Sequence, residues 1–317
     1  MKKLIIYLLG ASFVGAGELI GGKVPLATPD SGASRGENPL ASSQMLQNIL
    51  QYKDGYGEQF LHFQTEWFKP LFMYISIGVL VVFLLHYLII GPKRFSHEGR
   101  QFYIFSLFMR VIHWIAAIGF VLIVPTGFMM VFGDALGGGT LVRNARYLHS
   151  IGTVLFAISL VPMFLAWFIP MLPTLDDIKW LFIAGGYLSK KKREIPAGKF
   201  NAGQKMWFWL AMLGGLVMIA TGALMYFQTV DVNQLLQYIG ITAEKDQIEY
   251  LRLSAIVHNF LGMVIAALFI THLYMSIFAI KGALDSMISG KKSEDELKHL
   301  HSSYYRKLIK KENKSSL

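Results

Sequence analysis

The chain has 317 residues, 54% of them hydrophobic, with a mean hydropathy of +0.45, and its apolar residues fall in long runs. That is the composition of a membrane protein. With no cysteine, an iron–sulfur cluster, a CxxCH haem attachment and an internal disulfide are excluded, so any electron passing through the chain needs another carrier.

In chain order, Met1, Lys2 and Lys3 precede LIIYLLGASFVGAG. This short apolar run with a basic start and small residues at its end reads as a signal peptide over residues 1–20, with an uncleaved anchor as the alternative. Residues 21–69 form an external, periplasmic segment. Its first part, KVPLATPDSGASRGENPLASS, has the Pro, Gly and Ser content of flexible chain. The following MLQNILQYKDGYGEQFLHFQTEWF reads as a short helix on the membrane surface. Five runs of about 20 apolar residues, enough to cross the hydrocarbon core, lie near 70–91, 110–132, 148–172, 206–228 and 253–280.

The net charge of +10 is a topology signal. Twenty Lys and Arg residues fall after the first span, between the third and fourth, and in the tail from residue 282 onward together with Lys281; eight fall on the other side. The richer side is therefore expected to be cytoplasmic, with the C-terminus, and nucleic acid is not an expected partner.

Four of the nine histidines, His113, His149, His258 and His272, sit within or at the mouth of apolar spans. Unsatisfied polar groups in hydrocarbon cost several kcal/mol, so these imidazoles need partners. His258 and His272 are nearly four helical turns apart, on nearly one face and about 21 Å apart along the axis. Counting crossings puts His149 at the outer depth with His258, and His113 at the inner depth with His272. Two such pairs in a helical bundle suit two b-type haems, each with two axial imidazoles, which favours electron transfer over substrate binding.

Arg110 and Arg146 each precede a candidate ligand by three residues, in RVIH and RYLH, on the same helix face. They are candidates to meet haem propionates, or else interfacial anchors. Gly152, Gly262, Gly127 and Gly222 could leave room for a macrocycle edge; each alone reads as a helix-packing residue. His86 lacks a depth-matched partner and is expected to be hydrogen-bonded. His62, His97, His299 and His301 fall in polar segments and carry no expected ligand role.

GKFNAGQKMWFW, residues 198–209, lies at the inner mouth of the fourth span. Asn201 and Gln204 have the spacing of a capping box, and amides among small residues can also hydrogen-bond a quinone carbonyl.

The run from about 100 to 310 resembles the cytochrome b (gamma) subunit of respiratory formate dehydrogenase. The match is carried by RVIHW, RYLHS, KFNAGQKMWFW, IVHNFLG and ITHLYMS fourteen residues apart, and KGALDSMISGK. The resemblance implies an all-α polytopic protein of the bacterial inner membrane with a four-helix dihaem bundle over 100–281; the apolar run at 70–91 is expected to add one N-terminal transmembrane helix to it, and the positive-inside count makes 282–317 a cytoplasmic basic tail. It implies His149 and His258 as ligands of the outer haem b and His113 and His272 of the inner one. Menaquinone would be bound through Asn201, Gly203, Gln204 and His272. The implied partners are an iron–sulfur (beta) subunit and a molybdenum or tungsten catalytic (alpha) subunit. Electrons from formate would then reach menaquinone through both haems in anaerobic respiration, with protons drawn from the cytoplasm. The chain would itself be a non-catalytic electron-transfer subunit carrying the quinone-reducing site. The roughly 100 additional N-terminal residues are not explained by the resemblance.

Cytochrome b subunits of nickel–iron hydrogenases or thiosulfate-type reductases share the histidine pattern, which leaves them as the alternative. A proton channel would require acidic residues in the spans, whose central parts hold none. A haem-free anchor would not explain four depth-matched imidazoles.

Overall fold

The computed structural model describes residues 56–227, 230–242 and 246–315. The signal-like run at 1–20 and the external segment up to residue 55 lie outside the described residues. The chain divides into two units, Met1–Leu61 and His62–Leu317. In the first, the described residues are helical from Gly57. The second holds the bundle.

Its first span, α1 (Lys69–Ile89), is entered through a π-helical turn at Phe63–Phe68 and has Pro70 in its first turn, where a missing N–H is harmless. FQTEWF is thus helical chain leading into the span, where a separate surface helix was expected. The polar Gln64 is accommodated because its side-chain oxygen accepts from Asn259 at 2.8 Å. A three-residue strand, β1 (Gln101–Tyr103), precedes α2 (Leu107–Val131), whose N-cap Ser106 accepts from the Met109 amide. α3 (Gly139–Trp167) begins nine residues before the apolar run that marks it, because its first turns are polar and invisible to hydropathy. Pro125 and Pro162 lie inside α2 and α3, a placement tolerated in membrane helices.

The short α4 (Leu175–Phe182) starts at a capping box of Thr174 and Asp177. α5 (Ala202–Tyr226) contains a π-helical stretch at Leu210–Gly214. After α6 (Val232–Tyr238), α7 (Gln247–Ala279) ends in a π turn from Tyr274. The five spans α1, α2, α3, α5 and α7 are long and apolar enough to cross a membrane. Their outward faces carry exposed Val82, Leu88, Leu165 and Leu216, as expected where lipid is the solvent. The protein is an all-α polytopic membrane protein.

α2 and α3 pack along their length, α5 packs on α7, and α1 lies against α7. Phe120, Phe156, Met163, Trp167, Phe208, Met212, Ile265 and Phe269 fill the bundle interior. Phe68 and Phe72 pack with Met263 and Ala266 to seat α1.

The segment from residue 282, expected as a basic tail, is folded. It forms α8 (Asp285–Ser289), β2 (Lys291–Ser293), α9 (Glu294–Leu300) and α10 (Ser302–Ser315). β2 pairs antiparallel with β1, with Phe102 opposite Lys292. Ile195 binds the backbone on both sides, donating to the His299 carbonyl at 2.7 Å and accepting from Ser302 at 3.1 Å. Three stretches remote in sequence therefore close the basic end of the bundle.

Candidate functional site

The four span histidines meet in two pairs. His149 of α3 lies beside His258 of α7, ring centres 6.4 Å apart with planes at 53°. His113 of α2 lies beside His272 of α7 at 6.3 Å and 58°. Aromatic packing fills the space between: Phe120 contacts Phe156 at 4.9 Å and Phe269 and Trp207 at 5.3 Å. Trp207 also stacks on His272, at 5.6 Å and 18°.

The two pairs differ in their hydrogen bonding. His149 Nδ1 is 3.0 Å from the Ile123 carbonyl and 3.1 Å from Thr126 Oγ1. A carbonyl only accepts, so this Nδ1 carries the proton and leaves Nε2 with a free lone pair. His258 Nδ1 is 3.0 Å from Thr221 Oγ1. In the other pair, His113 Nδ1 is buried with no hydrogen-bond partner among the described residues.

Glycines serve two purposes here. A Cβ on Gly222 would come within 3.3 Å of His258 Cε1, and one on Gly127 within 3.7 Å of His149 Cε1, so both lie against the rings. Gly152 instead packs on the backbone of α2, where its added Cβ would lie 2.8 Å from the Gly119 oxygen. At Gly262 such a carbon would meet only the Met218 methyl, at 3.6 Å.

Arg110 donates to the Ile288 carbonyl, and its Nε is buried with no hydrogen-bond partner among the described residues. Arg146 is exposed, its guanidinium 5.4 Å over the Tyr226 ring.

Asn201 and Gln204 form the capping box at the start of α5. Asn201 Oδ1 accepts from the Gln204 amide at 3.0 Å, and Gln204 Oε1 from the Asn201 amide at 2.9 Å. Both side-chain oxygens are engaged, and neither side-chain NH2 donates to another described residue. Gly203 faces Trp180, whose ring an added Cβ would approach to 3.0 Å. Two residues on, Lys205 forms a buried ion pair with Asp177 at 2.7 Å, tying α4 to this turn. Nearby, Lys199 lies 5.1 Å over the Phe105 ring, and burial pulls its ammonium below the usual lysine range.

Residues 104–290, a stretch holding all four paired histidines and the 198–209 segment, match the family described as prokaryotic cytochrome b561. The chain belongs to the prokaryotic cytochrome b561 family. Relatives of this cytochrome include the Escherichia coli K12 formate dehydrogenase, nitrate-inducible, cytochrome b556(Fdn) subunit. It is 29% identical over 213 residues, covering 65% of this chain and 90% of the relative. The Haemophilus influenzae formate dehydrogenase cytochrome b556 subunit is 25% identical over 63% of this chain and 80% of its own length. The E. coli K12 cytochrome b556(fdo) subunit is 26% identical over 65% and 93%. Family membership makes this chain a haem b protein of the membrane.

α1 precedes the matched region of the cytochrome. Its His86 is hydrogen-bonded on both nitrogens: Nε2 donates to the Tyr187 carbonyl at 3.0 Å, and Nδ1 lies 2.6 Å from Tyr274 Oη. Thr126, Thr221 and Asp177 were not singled out by sequence reading. The repeated Thr-Gly dipeptide in the second and fourth spans, and an acidic pair in an otherwise basic loop, are the signals that could have marked them.

Proposed function

We propose that the chain is the membrane cytochrome b subunit of a formate dehydrogenase and carries electrons from an external iron–sulfur subunit to menaquinone at the cytoplasmic side. In this reading His149 and His258 hold one haem b, and His113 and His272 a second. The observation that carries it is the spacing of the two imidazole pairs.

An imidazole nitrogen sits about 2.0–2.1 Å from a first-row metal and its ring centre about 1.1 Å further, so two rings sharing one metal have centres about 6.2–6.4 Å apart. The separations of 6.4 and 6.3 Å fit that requirement. Glycines against the rings of one pair let those imidazoles seat closely on the neighbouring helices, which fixes where they face. When bound, haem b would supply one-electron transfer, with the two imidazoles of each pair as the residues that hold it.

The protein's own residues exclude water and set orientation. The Phe120, Phe156 and Phe269 packing keeps the middle of the bundle dry. Arg110 and Arg146, near the water-facing ends, are suited to propionate contacts once their present partners yield. At the basic end, the free NH2 groups of Asn201 and Gln204 are donors for a quinone carbonyl, and the cap does not compete because it uses only their oxygens. Gly203, packed against Trp180, keeps the turn between the two amides free of a side chain, and His272 stands at this depth. Positive-inside asymmetry supports placing this end in the cytoplasm, where reduced menaquinone takes up its protons.

The test is the reduced-minus-oxidised visible spectrum of the purified complex with formate as donor. Native protein should show two b-type haems reduced by formate, and His258→Ala should lose one of them together with quinone reduction. Retention of both haems in that variant would refute the ligand assignment. A co-purifying partner that oxidises hydrogen instead would move the chain to the hydrogenase branch.

A further inference from the structure

We propose that Thr126 and Thr221 are positioning residues that hold the reduction potential of the haem site at His149 and His258 below that of the site at His113 and His272. The inference rests on the dihaem reading above.

The two threonines occupy equivalent places. Each is buried and precedes a glycine within a span, Thr126-Gly127 on α2 and Thr221-Gly222 on α5. A hydroxyl has one proton, and each gives it to a carbonyl of its own helix: Thr126 to Leu122 at 2.5 Å, Thr221 to Val217 at 2.8 Å. The oxygen lone pairs therefore face Nδ1 of His149 and of His258, and accept from them. The Ile123 carbonyl is a second acceptor for His149. Both rings are thus fixed in the tautomer with Nδ1 protonated and Nε2 free, and the adjacent glycines let them approach the neighbouring helix.

A hydrogen bond that draws on the Nδ1 proton makes the opposite nitrogen a stronger donor, which favours the more positive, oxidised metal. At the other end the effect is missing. His113 Nδ1 is buried without a partner, and the His272 ring stacks on Trp207 with no hydrogen bond among the described residues. The asymmetry has the same sign for both ligands of each pair. It makes the direction from the Thr-Gly end toward the basic end the favourable one for an electron.

Spectroelectrochemical titration of the whole complex tests this. Native protein should resolve two b-type transitions. Thr126→Val and Thr221→Val should each raise the lower midpoint, together moving its equilibrium constant by up to about tenfold, which is about 59 mV for one electron. The upper midpoint should not move, and serine at either position should restore the native value. An unchanged lower midpoint, equal movement of both midpoints, or loss of haem from the valine variants would overturn the proposal. Fewer than two transitions in the native protein would instead defeat the dihaem reading, before any substitution is made.

Discussion

The Asn201 oxygen caps α5, and its amide nitrogen is left over as the donor that the proposed quinone site uses. Asn201→Ala should cost about 1 kcal/mol of helix stability and slow quinone reduction, while formate-driven haem reduction stays intact. Stopped-flow reduction of haem and of a menaquinone analogue separates the two steps, and haem loss in the variant would leave Asn201 only its structural role. The capping box was legible from the spacing of Asn201 and Gln204. The ion pair beside it was not, because Lys205 and Asp177 are 28 residues apart and nothing local announces that they meet. The same holds for His86, whose need of a partner was readable while Tyr187 and Tyr274 as its partners were not.

Among the elements, α2 and α3 depend on a close crossing. The added Cβ of Gly119 would lie 2.9 Å from the Gly152 oxygen, and that of Gly152 2.8 Å from the Gly119 oxygen, so neither helix can take a side chain there without parting from the other. Gly152→Leu should destabilise the bundle by about 1–3 kcal/mol and lower occupancy of the haem proposed at His149, three residues away on the same helix. Thermal unfolding in detergent and the haem-to-protein absorbance ratio measure both. Gly262→Ala, with only a methyl group at ordinary contact distance, should leave both nearly unchanged. Glycine content in a span shows that something comes close. Whether the neighbour is a backbone, as at Gly152, or an imidazole, as at Gly127 and Gly222, depends on how the helices cross.

Over the whole molecule, the basic end is built as a folded cap. His301 is buried there, with its Nδ1 2.8 Å from the Gly198 carbonyl. Burial, with the nearby Lys292 charge, holds its pKa down to about 3, against about 6.5 in unfolded chain. Between those values the unfolded chain binds a proton that the folded cap refuses, so stability is full above about pH 6.5 and declines as pH falls toward 3. Thermal unfolding across that range should show the decline, and His301→Gln should flatten it. An equal slope in the variant would assign the acid sensitivity to other groups. The segment was readable from its charge only as lying on one side of the membrane. Its fold rests on backbone pairing between residues about 100 to 190 positions apart, which composition does not encode.

The five spans, their polarity of charge and the four histidines follow from the sequence alone, because membrane length, positive-inside asymmetry and helical period are local properties of a chain. The tertiary structure decided what each imidazole touches: a threonine hydroxyl at one end of the bundle, a tryptophan face or, among the described residues, no polar partner at the other. Those contacts join helices whose order in space, unlike their length, depends on side chains packing across the whole bundle.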